Sequence, residues 1–98
     1  MNGANVVQLE GELDAYVAPD LRERLHRVIE EDAGSGLVIV DLERVTFLDS
    51  TILGTLVGGL RRMREQGGEL RLVYPPPPAN RIFELTGLDA VFPAAELP

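Results

Sequence analysis

Strand-like and helix-like runs of apolar residues alternate along the chain. Val6, Val7 and Leu9 open a short strand that ends at Gly11-Glu12-Leu13-Asp14. From Pro19 to Asp32 the spacing becomes helical: Leu21, Leu25, Val28 and Ile29 fall at i, i+4, i+7 and i+8, with Arg and Glu between them. Pro19 suits a first helical position, where its missing N–H has no partner to lose. Gly34-Ser35-Gly36 interrupts the chain. Leu37-Val38-Ile39-Val40 then reads as a strand covered on both faces and closed by Asp41. Glu43 to Leu48 reads as a connecting loop, with Val45 and Phe47 as core contacts.

A second helix opens at Asp49-Ser50. Its buried stripe is Leu53, Leu56, Val57, Leu60 and Met63 or Arg64, and Gly67-Gly68 ends it. Arg61, Arg62 and Arg64 gather in its last turns, where positive charge offsets the helix dipole. A third strand covers Leu70 to Tyr74, with Leu70, Leu72 and Tyr74 on one face, and four prolines stop it. A last helix runs from about Ala79 to Thr86, with Ile82, Phe83 and Leu85 inward and Gly87 as its stop. Leu88, Val91 and Phe92 pack behind it as a closing strand or turn. Strands and helices in strict alternation predict a single α/β domain over residues 1–98: one layer of mostly parallel sheet with helices packed on it.

Composition narrows the chemistry. The 98 residues carry sixteen acidic and nine basic side chains, a net charge of −7. Such a surface repels nucleic-acid phosphates and anionic lipid. Every basic residue is Arg, which excludes a phosphate-loop or Schiff-base lysine. No cysteine is present, so thiol chemistry, disulfides and cysteine-bound zinc are excluded. The lone histidine, His26, falls on a polar flank and reads as a surface residue. No apolar run reaches the ~20 residues of a membrane span. The first residues have neither region of a signal peptide, so a cytoplasmic protein is expected.

Candidate chemistry concentrates in Val45-Thr46-Phe47-Leu48-Asp49-Ser50-Thr51-Ile52-Leu53-Gly54, where a carboxylate and two hydroxyls mark a loop-to-helix junction at the carboxyl edge of the sheet. Local chemistry alone gives an ordinary N-cap, worth about 1 kcal/mol. A nucleophilic serine would need a base, and only His26 could supply one; no G-x-S-x-G elbow surrounds Ser50. An enzyme is therefore not expected, nor a cofactor or a metal.

Taken in order, Gly11-Glu12-Leu13-Asp14, the strand ending in Asp41-Leu42, Phe47-Leu48-Asp49-Ser50-Thr51, Leu53-Gly54, Gly67-Gly68 and Thr86-Gly87-Leu88 resemble the STAS domain family, and within it the bacterial anti-sigma-factor antagonists. The resemblance spans nearly the whole chain. It implies a monomeric binding module whose unphosphorylated form captures an anti-sigma factor with a histidine-kinase-like ATPase fold and so frees a sigma factor. That partner would phosphorylate Ser50, ahead of Thr51, and end binding; a PP2C-type phosphatase would reverse the step. Asp14, Asp49, Ser50, Thr51, Ile52 and Thr55 would form the partner face. Two other readings are a STAS accessory subunit of a lipid or solute ABC transporter and a STAS scaffold without a phosphate cycle.

Two positions depart from the family pattern. Ile52 stands where the family has glycine and would add bulk beside Ser50, enough to alter partner choice or to slow or end phosphorylation. The strand that usually precedes the one at Val6 is short or absent, which leaves a sheet edge less protected. Gly54 and Gly58, in a G-x-x-x-G spacing, would let the second helix lie close on the sheet.

Overall fold

β-Branched residues on both sides of a short apolar run build the centre of the sheet. In the computed structural model, which describes residues 5–31 and 36–97, three strands pair in parallel in the order β1 (Asn5–Leu13), β2 (Leu37–Leu48), β3 (Glu69–Val73). Helices α1 (Ala18–Glu31), α2 (Ser50–Glu65) and α3 (Arg81–Thr86) connect and follow them, and a 3₁₀ turn spans Leu88–Ala90. The expected α/β architecture is therefore present. The strand expected ahead of Val6 falls on residues 1–5, of which 1–4 lie outside those described and Asn5 opens β1.

The core joins the buried stripes of α1 (Leu21, Leu25, Ile29) and α2 (Leu53, Leu56, Leu60, Met63) to Val38, Val40, Leu70 and Leu72 of the sheet. Val28 and Val57 are half-buried against it. Gly54 and Gly58 do not set the approach of α2, because a Cβ at either would meet nothing within 4 Å. Gly59 sets it instead: a Cβ there would stand 3.2 Å from Leu70 Cδ1 and 3.5 Å from Leu25 Cδ1.

β2 corrects the expected loop over Glu43–Leu48, which is strand throughout. Between Gln8 and Glu10 of β1 the partner advances from Asp41 to Arg44, and between Gly11 and Glu12 from Val45 to Phe47. β2 thus carries one extra residue at each of two bulges, so its buried positions Leu42, Val45 and Leu48 lie three apart instead of two. Gly11, with φ of +80°, supplies a backbone conformation at the second bulge that other residues rarely adopt. Asp41, almost wholly buried, accepts from Glu43 N–H at 3.0 Å and Gln8 Nε2 at 3.3 Å, which satisfies a backbone donor at the first bulge. Phe47, expected in the core, is 49% exposed because it follows the bulge and projects opposite to Leu48.

The carboxyl end packs through aromatic edges. Tyr74 meets Phe83 with ring centroids 5.1 Å apart, and Phe83 meets Phe92 at 6.3 Å, both near perpendicular. Leu85, expected inward, is 79% exposed, and Val91 is also exposed; Phe83 fills the α3 contact alone with half-buried Ile82. Leu88–Ala90 form the turn, one of the two expected closures, and beyond it residues Pro93–Ala95 run along β3, bonded through Leu72 N–H to Pro93 O and Ala95 N–H to Leu72 O. They cover that edge of the sheet. No helix among the described residues is long and apolar enough to cross a membrane.

Tyr74 donates its hydroxyl to Phe92 O at 2.7 Å, and its pKa is raised above 10.0, first by burial and then by the nearby Asp89 carboxylate. The folded chain holds this proton more tightly than the unfolded chain. The resulting stabilisation is complete below about pH 10 and is lost as pH rises through the folded value. Tyr74→Phe should remove that part of the alkaline decline and cost about 1 kcal/mol at neutral pH through the lost hydrogen bond. Urea unfolding at neutral and alkaline pH checks both, and an unchanged alkaline slope in the variant would assign the decline to other groups.

Candidate functional site at the start of the second helix

The parallel ladder delivers the ends of β1 and β2 side by side, Leu13 opposite Leu48. One further bond, Asp49 N–H to Leu13 O at 3.3 Å, extends the pairing past the last strand residue. Asp49 then turns the chain into α2. Its backbone is extended (φ −109°, ψ 179°), as an N-cap requires, and its Oδ1 accepts from Ile52 N–H at 3.1 Å.

The second carboxylate oxygen reaches across the sheet edge. Asp49 Oδ2 accepts from Ala15 N–H at 2.9 Å and so ties the β1–α1 loop to the helix start. That loop is further closed by Asp14, whose Oδ1 accepts from Tyr16 N–H at 3.0 Å and whose carbonyl accepts from Val17 N–H at 3.0 Å. Asp14 acts here as a turn residue; its side chain lies at the same edge as Asp49, within the loop that Asp49 holds.

Ser50, the first residue of α2, is exposed, and so is Thr51. The two hydroxyls differ in setting. Thr51 lines an open groove between α1 and α2, together with Thr55, whose Oγ1 donates to Thr51 O at 3.1 Å. Ser50 stands ahead of this groove, on the turn fixed by Asp49. Ile52, expected on the partner face, is wholly buried and belongs to the core. Two residues past Ser50, the helical turn carries it about 200° round, so its side chain packs into the core and away from Ser50. The described residues thus bring Asp14, Asp49, Ser50, Thr51 and Thr55 to one edge and withdraw Ile52 from it.

Three features at this edge escape sequence reasoning. Ala15 takes part only through its backbone, and no residue preference signals that. Tyr16 is 90% exposed on the tied loop, next to Ala15. The α1 wall of the groove is built by Arg22, His26 and Glu30, which follow Leu21, Leu25 and Ile29 by one residue each and so form a stripe beside the buried one. That periodicity is legible, but only the packing of α1 on α2 turns it into a groove wall. Among the described residues no cluster of His, Asp or Glu could hold a metal ion.

Comparison with known proteins agrees with this geometry. The STAS domain family profile matches residues 2–96. The anti-sigma-B factor antagonist of Bacillus subtilis is 39% identical over 82 residues, 84% of this chain and 72% of that protein. Among solved structures, the anti-sigma factor antagonist SpoIIAA in its unphosphorylated form superposes with a TM-score of 0.79 at 26% identity, covering 98% of this chain and 84% of that one. The phosphorylated form of the Bacillus cell fate determinant SpoIIAA superposes with a TM-score of 0.68 at 28% identity, covering 93% and 81%.

Replacing Asp49 by Ala removes the acceptor of two backbone donors on two elements. We expect a loss of about 1–3 kcal/mol in urea unfolding. Amide exchange at Ala15 should speed up along with that at Ile52. Asp49→Asn, which caps nearly as well, should recover most of the helix term. If exchange at Ala15 stays as slow in Asp49→Ala, the carboxylate is not what holds the loop.

Proposed function

This chain belongs to the STAS domain family, and from that premise we propose that it is an anti-sigma-factor antagonist switched by phosphate on Ser50. The observation that carries the reading is an exposed serine in the first position of α2, directly after a carboxylate that locks the turn. The unphosphorylated domain binds its anti-sigma factor through the edge formed by Asp14, Asp49, Ser50, Thr51 and Thr55. The anti-sigma factor has a histidine-kinase-like ATPase fold and modifies Ser50, and a PP2C-type phosphatase restores the binding form. The protein is a binding module that needs no cofactor and works in the cytoplasm.

Physical chemistry supports the switch. A phosphate adds about −1.5 to −2 charges and three acceptor oxygens. At a helix N-terminus the backbone N–H groups and the dipole tolerate an anion, so the fold persists. Asp49 beside it and the net charge of −7 leave the modified edge strongly anionic. A partner that fits the neutral hydroxyl then meets added bulk and repulsion, and each 1.4 kcal/mol is about tenfold in affinity. Burial of Ile52 supports modification of Ser50, because that side chain packs in the core. Similarity to named anti-sigma factor antagonists favours this reading over that of a transporter accessory subunit.

Incubation with ATP and each histidine-kinase-like anti-sigma factor of the source genome, followed by mass spectrometry, tests the proposal. One phosphate on Ser50 is expected, absent in Ser50→Ala, with loss of the complex by about tenfold or more. Ser50→Ala should bind regardless of ATP. Stable binding by both forms with no phosphate from any kinase would make the domain a constitutive adaptor instead.

A further inference from the structure

The groove between α1 and α2 starts beside Thr51, the residue after Ser50. Two adjoining stretches, of about 790 and 590 Å³, share Arg22, His26, Thr51 and Thr55 in their linings, and the second extends along α2 to Arg62. In a chain of net charge −7, this second stretch has Arg22, His26 and Arg62 in its lining and no carboxylate.

These basic side chains are not equally partnered. The first stretch also holds Glu23, paired with Arg27 at 3.4 Å, and Glu30, which lies 3.6 Å from His26 Nε2 and 3.9 Å from Arg62. Arg22 enters no ion pair among the described residues and is exposed. The Nε of Arg62 is shielded from solvent and has no acceptor among the described residues. The Arg62 side chain as a whole is 43% exposed, and its Nη2 has only the long Glu30 contact at 3.9 Å, which leaves the guanidinium end able to take a further acceptor. Along α2 the groove is floored by Gly54, Gly58 and Gly59, small enough for a peptide main chain to lie close.

We propose that this groove receives an acidic peptide segment of the anti-sigma factor, its carboxylates paired with Arg22 and Arg62. Arginine suits the task, since its planar fork matches a carboxylate in two parallel hydrogen bonds. The inference rests on the function proposed above and adds a reason why phosphate acts at Ser50. An acidic segment entering at Thr51 passes that residue, so a phosphate at the mouth repels the same charge that the Arg side chains attract.

Two measurements test it. A blocked Glu-Ser repeat peptide titrated into the ¹⁵N-labelled chain should shift the amides of Gly54, Gly58 and Gly59, and an Arg-Ser repeat should not. Arg22→Glu should abolish the shifts, Arg22→Lys should keep part of them, and Arg81→Glu, an equal charge change on α3, should leave them. With the anti-sigma factor itself, Arg22→Glu should weaken binding about tenfold or more and flatten its salt dependence, while Arg81→Glu changes it by less than about threefold. Equal weakening by Arg22→Glu and Arg81→Glu would reduce the effect to net charge and overturn the proposal. So would peptide shifts confined to other surfaces, or concentration-dependent shifts of the same glycines without peptide, which would make a second copy the occupant. Tight binding of the anti-sigma factor that ignores Arg22→Glu overturns the groove and leaves the proposed function intact. A groove that responds to the peptide in a chain that binds no anti-sigma factor does the reverse.

Discussion

The Asp49 carboxylate is the point on which the functional edge depends. One oxygen caps α2 at Ile52 N–H, the other holds Ala15 N–H, and its own N–H continues the sheet ladder to Leu13. Three elements that meet only at the carboxyl end of the sheet are thereby fixed relative to one another. Charge-assisted bonds to backbone donors are the stronger kind, and two on one side chain resist independent motion of loop and helix. Ser50 and the loop carrying Asp14 and Tyr16 therefore belong to one rigid surface. A rigid surface loses little entropy when a partner docks.

What brings Asp49 to Leu13 is the irregularity of β2. A regular strand from Leu37 would keep alternation and reach a given length with fewer residues. Two extra residues instead kink the strand and re-aim its end, and the two-residue spacing of 38, 40 and 42 gives way to a spacing of three at 45 and 48. Spacing of three fits neither strand nor helix cleanly, which is why Glu43–Leu48 reads as a loop in sequence. Asp41 marks the first bulge, but an aspartate after an apolar run is as natural at a strand's end as inside one. Its role emerges only once Glu43 N–H needs an acceptor in a buried place.

Where packing follows one element's own period, the sequence is transparent. Leu21, Leu25 and Ile29 in α1, and Leu53, Leu56, Leu60 and Met63 in α2, are buried as their spacing requires. It is opaque where the answer depends on a second element. Gly59, not Gly54 or Gly58, is the contact glycine, because α1 and β3 happen to converge there. Leu85 is exposed because α3 is short and its inner face is already filled by Phe83. The candidate site divides the same way. Asp49, Ser50 and Thr51 stand out through an ordered set of motifs, whereas Ala15 contributes a backbone N–H and Arg22 gains meaning only from its neighbour across the groove.

Ile52 links the core to the start of α2. A glycine at this third helical position would leave α2 with a weaker first turn and a gap in the core beneath the serine. The isoleucine fills that gap, and its N–H is the one Asp49 caps, so core packing and the cap act on the same residue. The helix start is anchored from below by burial and from the side by the carboxylate, and neither anchor involves the Ser50 hydroxyl. A phosphate on that hydroxyl can therefore change the charge of the edge without competing for the contacts that build it. Under the proposed switch, the added charge would act on a partner and not on the contacts that hold the fold.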